Sequence, residues 1–245
     1  MANLEALTGL GMGDLATIAI SAVALIAAVI ANVSASASKA NDNKAQARNT
    51  VNGLCVRIAE LSTQIQVFRV EQQGTSNLAL FNTKINATVR QVVALATLAR
   101  DVLAKSGIKA AAVEYALIAD AIAMSGDPSA DALWAQAVDT ARTRHDRIDL
   151  MQRFAEYLYS AGKAARGAVA YGEARAAMGA EATPFEIGRN LQMEATASAN
   201  AGHTDSARAL FDEAREYYAQ MAEGTTRTYA LNSLTSARKG AVGET

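Results

Sequence analysis

The sequence predicts an all-α protein built as a stack of antiparallel helix hairpins, and three observations carry that prediction. Alanine is the commonest apolar residue and only two prolines occur in 245 residues. Such a chain favours helix, because alanine loses no side-chain entropy on winding and proline seldom interrupts. Apolar residues recur at three- and four-residue intervals from Val51 onward, the spacing of one face of a helix. In the C-terminal half, a glycine, a small residue, a large aromatic and a second small residue return at fixed offsets, which marks a repeated supersecondary unit.

Taken in order, the first element is the stretch LATIAISAVALIAAVIANV, Leu15 to Val33, nineteen residues without a charge. As a helix rising about 1.5 Å per residue it is long enough to cross the hydrocarbon core of a bilayer. Residues 1–38 are therefore read as a long apolar N-terminal helix that contacts lipid through residues 15–33. Glu5 and Asp14 precede the run, where a secretory signal would carry lysine or arginine, although SASAS after it resembles a small-residue cleavage site. Burial of the helix inside a soluble assembly is the other alternative. Lys39, Lys44 and Arg48 follow the run, and the positive-inside bias puts the C-terminal side in the cytoplasm.

Residues 39–77 read as a helical stalk. Val51, Leu54, Ile58, Leu61, Ile65 and Phe68 are spaced 3, 4, 3, 4 and 3 apart, a heptad seam that either joins copies of the chain in a coiled coil or packs on the protein's own domain. The break is expected at QQGTSN, Gln72 to Asn77, where glycine meets capping residues. A further helix from Leu78 to about Lys105 carries Phe81, Ile85, Val89, Val92 and Leu103 on an apolar face and ends at Gly107.

The repeat follows. Gly202 is succeeded by Ala207, Phe211 and Ala214; Gly162 by Gly167, Tyr171 and Ala174; Gly126, with a turn one residue shorter, by Ala130, Trp134 and Ala137. Seven residues before these glycines stand Ala195, Ala155 and Ala119, and the glycines lie 36 and 40 residues apart. Glycine permits the tight reversal, small residues let two helices cross closely, and the aromatic plugs the space between neighbouring pairs, which bury a face only by stacking. Over roughly Val113 to Met221 this pattern resembles the tetratricopeptide repeat family. The proline that usually closes each repeat is absent and the period is longer; TPFE, Thr183 to Glu186, instead starts a helix with a capping box. Residues 78–240 are thus read as a tetratricopeptide-like domain, a right-handed stack of hairpins. Its end is capped by a last helix over Gly224 to Gly240, with Tyr229, Leu231 and Leu234 turned inward.

The resemblance implies a function and a site. In that family the first helix of each repeat lines a concave groove for a peptide or a partner helix. Carried across, the groove positions are Asp149, Gln152, Arg153, Glu156, Tyr159 and Ser160, then Arg189, Gln192, Met193, Thr196 and Asn200. Arg153 and Arg189 are expected to grip an acidic peptide through forked hydrogen bonds, and Tyr159 and Met193 to serve as apolar anchors. The corresponding positions of the first repeat, Val113, Ala116, Leu117, Ala123 and Met124, are apolar and expected to be covered.

These features point to a membrane-anchored scaffold or adaptor that binds a protein partner; the alternative is a structural subunit that homo-oligomerises through its N-terminal helix and stalk. The net charge of −1 gives no basis for a nucleic-acid partner. One cysteine, Cys55, forbids an intrachain disulfide, and His145 and His203 have no metal ligands at coordinating spacing. No catalytic glycine-serine, phosphate-loop or zinc motif occurs, so neither an enzyme, a cofactor nor a metal is expected.

Overall fold

The computed structural model describes residues 40–73 and 78–243, and all regular structure among them is helical. The apolar segment 15–33 lies outside the described residues, as does most of the break after the stalk. Within them no helix is long and apolar enough to cross a membrane. The helices are α1 (Ala40–Gln73), α2 (Leu78–Ser106), α3 (Ala112–Ala123), α4 (Ala130–Thr140), α5 (Arg144–Ser160), α6 (Ala164–Met178), α7 (Pro184–Asn200), α8 (Thr204–Ala219) and α9 (Thr225–Val242). The described residues fall into two compact units: those up to Ala110 with Leu117–Ala130, and Ala111–Ala116 with those from Asp131 to Gly243.

The first unit is dominated by α1 and α2, which pack along each other. Arg48 Nη1 donates to the carbonyl of Lys109 at 3.1 Å, and the Lys84 ammonium lies 5.8 Å from the Phe68 ring. The start of α1 therefore meets the end of α2, an antiparallel hairpin. This placement settles what covers the stalk seam. Val51, Ile58, Leu61 and Ile65 are buried, with Ala47 and Cys55, while Leu54 and Phe68 are half-buried. The opposing helix contributes Val92, Ala96, Ala99, Val102 and Leu103. Of the two readings of the heptad, packing within one chain is the one these side chains adopt. Residues 78–110 accordingly group with the stalk rather than with the repeats.

The second unit is built from hairpins. α5 pairs with α6 and α7 with α8; α7 packs on both α5 and α6, and α9 closes on α7 and α8. The two hairpins turn alike. Gly162 and Gly202 have φ of 73° and 86°, a region closed to most side chains. In each, two bonds satisfy the last carbonyls of the first helix. Gly162 N–H reaches Tyr159 O and Lys163 N–H reaches Leu158 O; Gly202 N–H reaches Ala199 O and His203 N–H reaches Ser198 O. That is the Schellman closure. Behind the turns, Ala155, Gly167, Tyr171 and Ala174 are buried in one hairpin, as are Ala195, Ala207, Phe211 and Ala214 in the other. Ala119, Ala130, Trp134 and Ala137 of the third occurrence are likewise fully buried.

The capping box forms as the motif requires: Thr183 Oγ1 accepts from the Glu186 amide, and the Glu186 carboxylate accepts from the Thr183 amide. The last helix corrects one expectation. Ala230 and Leu234 face inward, joining the cluster of Leu191, Phe211 and Tyr218, whereas Tyr229 is 69% exposed. One residue is 100° around a helix, so the face carrying Ala230 and Leu234 excludes Tyr229. Val113 and Met124 are also exposed, against the expected cover over the first repeat; Ala116 is buried.

Candidate functional site

A cavity of about 440 Å³ lies between the C-terminal halves of α5 and α7. Glu156, Tyr159 and Ser160 line it from α5, and Gln192, Met193, Thr196 and Asn200 from α7. Helical periodicity explains the set: residues three and four apart share a face, and 156, 159 and 160 answer to 192, 193, 196 and 200. The two hairpins place their first helices side by side, so these faces converge.

Not every carried-over position arrives there. Arg153 and Arg189 are exposed and do not line the cavity. The Arg153 guanidinium lies 5.3 Å from the centre of the Trp134 ring, a cation–π contact. Arg189 is in the first turns of α7, about 16 Å along the axis from Asn200. The structure therefore places neither arginine at this cavity. Asp149 pairs with His145 at 3.5 Å on the outside of α5, and Gln152 is buried.

Tyr159 is only 5% exposed, which makes it a wall of the cavity rather than a protruding anchor. Its ring is seated by Gly167, where a Cβ would stand 2.6 Å from Tyr159 Cδ2 and 3.1 Å from the Ala155 carbonyl. Its hydroxyl makes a long 3.5 Å contact with Glu194 Oε1. Burial, followed by the negative charge of Glu194, pushes the Tyr159 phenol up to about 12. Tyr171 is also pushed up, by burial first and then by the charges of Glu156 and Glu194. Both phenols stay neutral across the physiological range.

Behind Tyr159 lies a buried polar group that the sequence reading missed. Arg175 of α6 bonds Glu194 Oε2 and, at 2.8 Å, Asn190 Oδ1. Glu194 is 3% exposed and Asn190 fully buried, with the Asn190 Nδ2 left without a partner. A signal was present: Asn190, Glu194 and Ser198 stand four residues apart on α7, a polar line beside the apolar Leu191 and Ala195. A second polar node ties α4 to the α5–α6 hairpin. Asp131 accepts from Tyr157, Lys163 and Arg166. Burial alone would raise its carboxyl, but these donors outweigh it and hold the group down at about 2.

The other side chains of the cavity are largely committed. Gln192 accepts from the Tyr218 hydroxyl at 3.0 Å and donates to Ser233 at 3.3 Å. Ser160 and Thr196 return their hydroxyls to helix carbonyls. Among the described residues, no group of three histidine, cysteine or carboxylate side chains is placed to hold a metal ion. No protein-family model, curated protein or solved structure matches the chain.

Proposed function

We propose that this protein is a protein–protein interaction scaffold of tetratricopeptide-like build. Its right-handed hairpin stack binds a peptide or helix in the groove between α5 and α7, and residues 15–33 tether it to a membrane with the C-terminal domain on the cytoplasmic side. The observation that carries the reading is convergence. The tetratricopeptide resemblance implies a groove lined by Glu156, Tyr159, Gln192, Met193 and Asn200, and all five line one open cavity. A concave site with an aromatic wall, a thioether and a few polar groups suits a side chain of a partner better than it suits catalysis. The alternative, a structural subunit that homo-oligomerises through its N-terminal helix and stalk, is less favoured because most of the Val51–Phe68 seam is covered within the chain.

Site-specific photocrosslinking in the producing cell tests the proposal. A photoreactive residue at position 193 or 200 should give an adduct with a different protein, and the same residue at Val169, exposed on α6, should not. Equal adducts at all three positions, or none, would remove the groove from consideration.

A further inference from the structure

We propose that the groove recognises a protein segment through a lysine or arginine side chain, received by Glu156 and Asn200. This rests on the groove reading above and gives it a chemistry opposite to the acidic ligand that the tetratricopeptide resemblance implied.

Three observations converge. First, Glu156 is the only charged side chain lining the cavity among the described residues, and no basic side chain lines it. Lys163 is engaged on Asp131, Arg175 on Glu194 and Asn190, and Arg153 over Trp134, while Arg189 lies outside the lining. Second, the hydrogen-bonding capacity not spent inside the protein is narrow. Tyr159, Ser160, Gln192 and Thr196 already have partners. The polar lining side chains left without a hydrogen bond among the described residues are Glu156 and Asn200, whose oxygens accept. The Ser160 and Thr196 hydroxyls, which donate to helix carbonyls, have only acceptor capacity left. Third, the cavity is formed by the last turns of α5 and α7, which end at Ser160 and Asn200. Helix C-termini carry partial negative charge, and two of them lie at this end of the groove, favouring a cation there.

The shape suits the same ligand. A lysine or arginine buries its methylene stem against apolar surface while the charged head seeks acceptors. The Tyr159 ring and the Met193 side chain supply that surface beside Glu156. An incoming carboxylate would meet Glu156 and two helix C-termini with no basic side chain in the lining to offset them.

The test is binding of the detergent-solubilised full chain to immobilised random twelve-residue peptides with lysine, arginine, alanine or glutamate fixed at the centre. Lysine- and arginine-centred sets should be retained in preference to alanine, with glutamate weakest. Glu156→Gln should cut the lysine-over-alanine preference at least about threefold, as expected for loss of a charge-assisted contact. Glu156 is exposed, so the variant should fold, which circular dichroism checks. Two results overturn the inference while leaving the groove reading in place. One is binding that Met193→Glu abolishes but Glu156→Gln leaves equally selective; the other is a groove-dependent preference for glutamate. If no peptide set binds the wild-type chain, both the inference and the peptide-groove reading fall together.

Discussion

Replacing Asp131 by asparagine removes a charge on which three donors converge. The Tyr157 hydroxyl and the Lys163 ammonium each lie 2.7 Å from Oδ1, and Arg166 Nη1 lies 2.7 Å from Oδ2. Asparagine keeps one acceptor and turns an NH₂ toward a cation. A carboxyl moved from 3.8 to about 2 stabilises the fold by about 2.5 kcal/mol at neutral pH. The Asp131 side chain is 21% exposed and that of Arg166 57%, so solvent screening lowers the expected loss to about 1–2 kcal/mol. Because the folded value lies below the unfolded one, the contribution is complete above pH 3.8 and disappears as pH falls through 2. The gap between wild type and variant should therefore narrow steadily below about pH 4. Urea titrations followed by tryptophan emission measure this directly, since Trp134 is the chain's single tryptophan, is fully buried and belongs to the same unit. A deficit that keeps the same size from pH 7 to pH 2.5, or no deficit at pH 7, would refute the reasoning.

Three further outcomes are expected. Gly167→Ala drives a methyl into the Tyr159 ring and toward the Ala155 carbonyl and should cost about 1–3 kcal/mol; a variant as stable as wild type in the same titration would contradict the close packing. Arg175→Met leaves Glu194 buried without its cation and should cost about 3–5 kcal/mol at pH 7. Adding Glu194→Leu should recover part of that loss, and a double variant weaker than the single would argue against the ion pair. Thr183→Ala removes the hydroxyl half of the capping box and leaves the backbone amide on the Glu186 carboxylate, with an expected loss of about 0.5–2 kcal/mol. The Thr183 amide and hydroxyl hold the Glu186 carboxyl below its ordinary value, so the capping contribution is full above that value and fades as acid protonates Glu186. Hydrogen exchange across residues 183–187 should rise in the variant and separate from wild type least at low pH.

Much of the second unit is readable one residue at a time. The glycine at a positive φ, the small residues at helix crossings and the buried aromatic each answer a local steric demand, so a single chain displays them as a periodic pattern. Thr183 and Glu186 are three residues apart and need nothing beyond their own helix start. The seam from Val51 to Phe68 is different. Its heptad says that one face of α1 is dry, and any apolar helix would dry it; that the cover is α2 follows only from the chain's return after residue 77. Tyr229 shows the same limit on a smaller scale, since the face α9 presents depends on the hole left between α7 and α8.

The groove divides along the same line. Its lining follows from spacing once the hairpins pair: helix geometry puts 156 and 160 on one face and their counterparts 40 residues later, 196 and 200, on another, and the packing of α5 against α7 brings the two faces together. Its chemistry does not. Whether Arg153 faces a ligand or a tryptophan, and whether Arg175 meets solvent or Glu194, depends on side chains from other helices competing for each charge. Local sequence determined the helices, their turns and the face that could become a site, because those depend on bonds within a few residues. Tertiary packing decided which charges were neutralised and left Glu156 unpaired in the cavity, because ion pairing is settled across helices far apart in the chain.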